Sequence, residues 1–164
     1  MQASPDGIAA LEHEEGVVSR AYRCPAGVWT IGAGITSAAG VGKVGPGMVI
    51  TKSAARAMLM AALKKNYEPA VASAMPVSAQ HEFDAGVLFH WNTGAIARAS
   101  WVGLWRAKAP RPAIEAKFVI WNKGGGKVLP GLVKRRAREL RILFDGVYPV
   151  SSEPKSPSVA YARW

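Results

Sequence analysis

The chain has 164 residues, 49% of them apolar, and a formal net charge of +10 at pH 7. That length suits one compact domain with room for two lobes; no stretch is apolar for long enough to span a membrane, the single cysteine excludes an internal disulfide, and residues 1–7 lack the basic start and apolar run of a signal peptide. The charge asks for an anionic partner, either nucleic acid or a bacterial wall or envelope surface, but Lys and Arg are spread along the chain with one cluster at Lys134-Arg135-Arg136-Ala137-Arg138 and no base-stacking motif beside it, so nucleic acid is not expected.

Ser4 before Pro5 is a helix start, with Ser as cap and Pro in the first turn. Gly16 is a natural stop, so the spacing predicts a helix over 5–15. At about 100° per residue Ile8, Leu11, Glu12 and Glu15 share one stripe. Glu15 then stands on the apolar side in the last turn, while His13 and Glu14 point elsewhere. Partial burial and the negative end of the helix dipole both disfavour the charged carboxylate, as a general acid near neutral pH requires, and a nearby Arg would oppose them. Residues 19–23 and 28–31, aromatic and β-branched, flank Cys24-Pro25-Ala26-Gly27 and predict a β-hairpin that folds back toward the helix end, bringing Cys24 and Thr30 near Glu15. Residues 36–49, rich in Gly and small side chains, read as a loop holding one short strand. Gly32-Ala33-Gly34 and Val41-Gly42-Lys43 lack the spacing and the Ser/Thr after Lys that a phosphate loop needs.

Thr51 caps a run of strong helix formers in which Ala55, Leu59 and Leu63 share a face. To Tyr67 it spans roughly 25 Å, enough to join two lobes, and Pro69 kinks or ends it. Met58 and Met60 read as core filler. The rest reads as helical. Ser78 caps a helix in which Phe83, Val87 and Trp91 recur every fourth residue and which stops at Asn92-Thr93-Gly94. A short helix follows from Ser100 through Trp105, then a break at Ala109-Pro110-Arg111-Pro112, then a helix with Ile114, Phe118 and Trp121 on one face. Residues 122–127 form a loop, and a last helix covers 132–144. On it Leu132, Arg136, Leu140 and Leu143 lie within roughly 80° of each other, with Arg135 and Arg138 off the stripe and Arg141 opposite. Arg136 therefore faces inward and needs a carboxylate: Glu139, three residues on, or Glu15. Residues 147–164 form a Ser/Pro-rich extended tail ending in Tyr161 and Trp164, side chains suited to docking back on the body.

Eight residues separate Glu15 from Cys24 and five separate Cys24 from Thr30. With Trp29-Thr30-Ile31-Gly32-Ala33-Gly34 after them, they closely resemble the catalytic segment of the phage-type lysozymes, the endolysins that cut bacterial cell walls. In that family a Glu closes the first helix, an Asp or Cys sits on a hairpin turn, and a Thr follows on the returning strand. An ordinary helix–hairpin unit has the same spacing, and the resemblance is what sets it aside. It continues through Phe89-His90-Trp91-Asn92-Thr93-Gly94, Ser100 and Trp121, and is strong again over Gly131-Leu132-Val133-Lys134-Arg135-Arg136-Ala137-Arg138-Glu139-Leu140, covering roughly residues 8 to 146. The fold it implies is α+β and mainly helical: a small β-hairpin lobe (about 8–50), a long connecting helix (about 51–68) and a helical lobe (about 76–146), with 1–146 as the catalytic domain and 147–164 as a tail outside it. It implies Glu15, Cys24 and Thr30 as catalytic residues, and favours Glu15 as the partner of Arg136, since an Arg of the last helix pairs with the catalytic Glu in the family. The chain departs from the pattern at Ile35, where the family commonly has His, and at Cys24, where Asp is commoner.

The activity so implied is that of a peptidoglycan muramidase acting on the β-1,4 bond between N-acetylmuramic acid and N-acetylglucosamine. Such chemistry needs a proton donor and a second group. Glu15 is the donor; Cys24 acts as thiolate or polar anchor, a free thiol having a pKa near ~8.5; Thr30 holds the attacking water. Two other readings stay open: a lytic transglycosylase, in which the sugar's own 6-hydroxyl replaces water and 1,6-anhydro products result, and a non-catalytic binder of wall glycan or nucleic acid. Trp29, Tyr22 and Asn92 are candidates for substrate contacts; Trp29 either stacks on sugar or packs in the small lobe. Three His and one Cys form no metal-ligand spacing, so neither metal nor cofactor is expected. The expected protein is a monomer made in a host cytoplasm, acting on the wall and its anionic envelope, with its delivery route open.

Overall fold

The structure, a computed structural model, describes residues 1–24 and 26–149; the docking expected of Tyr161 and Trp164, and nearly all of the tail, lie outside the described residues. Helix α1 covers Pro5–Glu15, as the Ser-Pro start and the glycine stop require. Ser4 Oγ accepts the Gly7 N–H at 2.9 Å, and Ser4 in turn donates its backbone N–H to Asp84 at 3.0 Å. Asp84 is fully buried and also accepts from Gln80 at 3.0 Å and from the Tyr148 hydroxyl at 2.7 Å. Only glycine fits at position 7, where a Cβ would come within 2.6 Å of Asp84. Gly16, at φ 69°, ends the helix and swings the chain into the sheet.

The hairpin is part of a larger sheet than the sequence predicts. Strands β1 (Val18–Arg23) and β2 (Trp29–Gly32) pair antiparallel, with Tyr22 opposite Thr30 and Arg23 opposite Trp29. A third strand, β3 (Ile35–Thr36), pairs back on β2, a 3-10 turn covers Ser37–Ala39, and Val49 bridges to Arg20. Beneath the sheet lies a small core of Ala21, Ile31 and Val44, with Trp29, Met48, Ile50 and Met58 packed on it. Ile35, fully buried, joins the main core instead. An apolar side chain there contributes by burial, where the family's commoner His would need a polar partner.

Helix α2 (Lys52–Asn66) begins where Thr51 Oγ1 accepts the Ala54 N–H at 3.1 Å. It stops short of Pro69, and α3 (Glu68–Ala74) takes that proline into its first turn. The side chains of Lys65 and Asn66 reach the carbonyls of Gly40 and Ala39 at 3.2 and 2.9 Å, tying the sheet's outer loop to the end of α2. Helix α4 (Gln80–Thr93) starts after Ala79 rather than at Ser78. The Glu82 carboxylate accepts the Ala79 N–H at 2.8 Å, a first-turn contact that supplies what Ser78 does not, since the Ser78 hydroxyl donates to Met75 O. Helix α5 (Ser100–Arg106) and helix α6 (Arg111–Phe118) follow. Trp121 lies past the end of α6 yet still meets the Phe89 ring edge-on at 5.4 Å. The stretch read as a loop holds two short paired strands, β4 (Lys123–Gly124) and β5 (Lys127–Val128). Helix α7 (Pro130–Asp145) closes the fold along α4 and ends at Gly146 in the left-handed conformation.

Candidate active site

Turn geometry fixes the two hairpin residues. The Cys24 N–H donates to Val28 O at 3.0 Å, and Gly27 N–H donates back to Cys24 O at 2.7 Å. Thr30, buried on β2, donates its hydroxyl to Val28 O at 3.1 Å. The thiol of Cys24 sits below the ordinary range of a cysteine, chiefly because the Val28 N–H is aimed at it. Burial opposes this, and the Ala26 N–H and the Thr30 hydroxyl add to the lowering. Cys24 follows β1 directly and Thr30 lies on the returning strand β2, as the hairpin reading expects. Trp29, half-buried, packs on the small core with the Arg23 guanidinium 5.2 Å from its ring centre. Tyr22, partly exposed, stands opposite Thr30 across the strands.

Glu15 closes α1 with its side chain 11% exposed, and its anchor comes from the far end of the chain. Arg135 Nη1 donates to Glu15 Oε1 at 2.7 Å, Arg135 Nε donates to Glu139 Oε1 at 2.9 Å, and Nη2 reaches Leu88 O on α4 at 3.3 Å. Burial works to strip Arg135 of its proton, but Glu15 and Glu139 outweigh it and hold the guanidinium firmly charged. The neighbouring Glu14 is more buried than Glu15, at 4% exposure, and the Arg138 guanidinium grips both its oxygens, Nη2 to Oε2 at 2.8 Å. Burial pushes the Glu14 carboxyl up; Arg138 and Arg135 together overcome it and leave it below the usual carboxylate range.

Three expectations are corrected here. Arg136 is buried as predicted, but it does not pair with Glu15: its Nη2 donates to Glu139 Oε1 and Asn92 Oδ1, at 2.9 and 2.8 Å. The partner of Glu15 is Arg135, which the helical stripe had placed off the buried face. Glu14 and His13, placed pointing away, are also buried. A single stripe fails because α7 is covered on two sides, by α4 and by the end of α1. Burial pushes Arg136 down to about 10, with Glu139 opposing, and its guanidinium carbon lies 5.2 Å from the Phe89 ring centre and 5.8 Å from that of Phe118. Asn92 is nearly buried at the end of α4 and lines a cleft of about 310 Å³ with Thr93, Arg98, Ile120, Trp121, Lys123 and Leu132. The predicted residues thus fall into two groups, Cys24 with Thr30 on the hairpin and Arg136 with Asn92 between α4 and α7. Glu15 joins the second group through Arg135 and Glu139. Among the described residues no hydrogen bond joins Glu15 to Cys24 or Thr30. Arg135, Arg138 and Glu14 are the side chains the sequence reading left out. The signal for them was present: three arginines in the four residues before a glutamate on α7, against two adjacent glutamates closing α1.

The sequence model of the family described as phage lysozyme matches residues 12–139. The chain is 37% identical over 150 residues to an endolysin of Bacillus phage PZA, an alignment covering 89% of this chain and 56% of that protein. The match to an endolysin of Acyrthosiphon pisum secondary endosymbiont phage 1 is 29% over 150 residues, covering 88% of this chain and 99% of that one. In three dimensions the fold superposes on an endolysin from Escherichia coli O157:H7 phage FAHEc1 with a TM-score of 0.79 at 32% identity, covering 92% of this chain and 98% of that one. The chain spans a little over half the length of the Bacillus phage relatives it matches.

Proposed function

Because the chain belongs to the phage lysozyme family, we propose that it is a peptidoglycan muramidase, hydrolysing the β-1,4 bond between N-acetylmuramic acid and N-acetylglucosamine with Glu15 as general acid. The observation that carries the reading is the setting of Glu15: a carboxyl 11% exposed at the last turn of α1, one oxygen held by Arg135 at 2.7 Å, next in the chain to the strand that leads to Cys24. In this scheme Glu15 gives its proton to the glycosidic oxygen as that bond breaks. Water attacks the anomeric carbon from the other sugar face, oriented by the Thr30 hydroxyl, and passes its proton to the Cys24 thiolate. An inverting pair needs room between its members for sugar and water, and the absence of a hydrogen bond between Glu15 and either hairpin residue is in keeping with that. The lowered thiol of Cys24 supports the base role.

The glycan is proposed to run between the sheet and the helices, which makes residues 8–50 and 76–146 two lobes of a catalytic domain over 1–146, with Asn92, Tyr22 and Trp29 as substrate contacts. Arg98 and Lys123 at the Asn92 cleft suit an anionic substrate. Peptidoglycan is then the partner, the wall the place of action, and a monomer the working form. Mass spectrometry of the products from purified peptidoglycan tests the reading. Fragments ending in reducing muramic acid are expected. A 1,6-anhydro end would make the protein a lytic transglycosylase, and intact glycan with bound protein would make it a binder.

A further inference from the structure

Glu139 is wholly buried on α7, one turn after Arg135. A single oxygen, Oε1, accepts from Arg135 Nε and Arg136 Nη2, each at 2.9 Å. Among the described residues its other oxygen has no hydrogen-bond partner, and neither do Nε and Nη1 of Arg136, which lies against Phe89 and Phe118. A buried ionic cluster with open valences is a poor stabilising device, since apolar side chains of the same volume do as well or better. Stability alone therefore leaves Glu139 unexplained.

Its placement gives another reason. The charged and titratable groups that share this junction with Glu15 are Arg135, Arg136, Arg138 and Glu139 from α7, and His13 and Glu14 on its own helix. Arg138 is committed to Glu14. Arg135 is divided: one edge holds Glu139, one amino group holds Glu15, and the third donor holds the Leu88 carbonyl. We propose that Glu139 is the positioning residue of the acid: by sharing Arg135 with Glu15 it aims the guanidinium at that carboxyl and takes up part of its charge, so that Glu15 is held in place without facing the whole of that charge. Asn92 belongs to the same chain of contacts through Arg136, which joins the cleft to the acid. The inference rests on the reading of Glu15 as the acid.

The test is the Glu139→Gln variant, which keeps an acceptor of the same shape and removes the charge. Arg135 then acts on Glu15 alone and favours its ionised form. The alkaline limb of the kcat profile should move down by about one pH unit, so that turnover above the limb falls about tenfold at fixed pH, with KM unchanged and near-ultraviolet dichroism as in the wild type. A profile that superposes on the wild type, or a fall in kcat equal at every pH, overturns the proposal. Should E139Q not fold, Glu139→Asp keeps the charge and draws it back from Arg135; a shift in the same direction is expected, and an unmoved limb overturns the proposal equally. Glu15→Gln, assayed in parallel, separates the two ideas: if it keeps wild-type turnover the acid assignment itself fails, whereas loss of its turnover beside an unmoved E139Q profile removes only the role of Glu139.

Discussion

At the hairpin turn, Thr30 donates to a carbonyl two residues back, and Cys24 is gripped by Val28, four positions on. At the end of α1, Glu15 is gripped by an arginine 120 residues away, inside a shell of charges that water scarcely reaches. The first arrangement is local and partly exposed, the second distant and dry. A local arrangement forms wherever its turn forms, so changes there should disturb the fold little. A distant arrangement exists only when the whole chain has folded, and its charges are costly to leave unpaired. Activity and stability should therefore separate at the hairpin and travel together at the helix junction.

The sharpest probe is Glu15→Gln. It keeps shape and an acceptor for Arg135 but cannot donate the proton, and turnover of purified peptidoglycan should fall ~10²–10⁴-fold; wild-type-like turnover removes Glu15 from the mechanism. Next in size, Arg138→Met strands the buried Glu14 carboxylate and should cost about 3–5 kcal/mol in urea unfolding. A loss under about 1 kcal/mol would rank this pair with exposed ones and erase the contrast. The same pair sets a pH dependence. Glu14 titrates lower in the folded chain than its ordinary value, so its contribution is fully present above the ordinary carboxylate range and is lost as pH falls through the lower folded value. Wild-type stability should decline on acidification over that window, and the Arg138→Met curve should be flatter there.

At the hairpin, Cys24→Ala should lower turnover while shifting stability by no more than about 0.5 kcal/mol, and Cys24→Asp should keep or raise turnover. An unchanged rate for Cys24→Ala takes the thiol out of the chemistry, and a thioglycosyl adduct in intact-protein mass spectra would make it the nucleophile. The smallest effect is expected from salt. With a net charge of +10 and screening over ~8 Å at physiological ionic strength, lysis of whole walls should weaken with added salt more than cleavage of short neutral oligosaccharides. Equal responses would argue against charge-led docking.

Legibility in the sequence followed the same division. Both ends of α1 were announced by single residues, Ser4-Pro5 and Gly16, and the hairpin by its Pro/Gly turn, because capping and turn chemistry act over a few bonds. The two-residue strands β3 and β5 escaped because segments so short show no period, and β4 carries a glycine besides. Periodicity found the buried Arg136 and ranked Glu139 among its partners, yet it placed Arg135 off the core face. A stripe computed for one helix assumes one covering neighbour, whereas Arg135 is buried by Leu88 of α4 on one side and Glu15 of α1 on another. Which of two adjacent arginines meets Glu15 is a property of how three helices meet.

The Asp84 carboxyl also sets an order on how the molecule can come into being. It holds the cap of α1 and the Tyr148 hydroxyl at once, bringing residues 4 and 148 to one spot. During synthesis α1 leaves the ribosome first, but Asp84 emerges some 80 residues later, and Arg135 and Tyr148 near the end of the described chain. The contacts that hold the start of α1 and Glu15 can therefore close only after residues 84, 135 and 148 have been made, and a nascent fragment that already has its sheet and its hairpin turn has not yet gained the grip on Glu15.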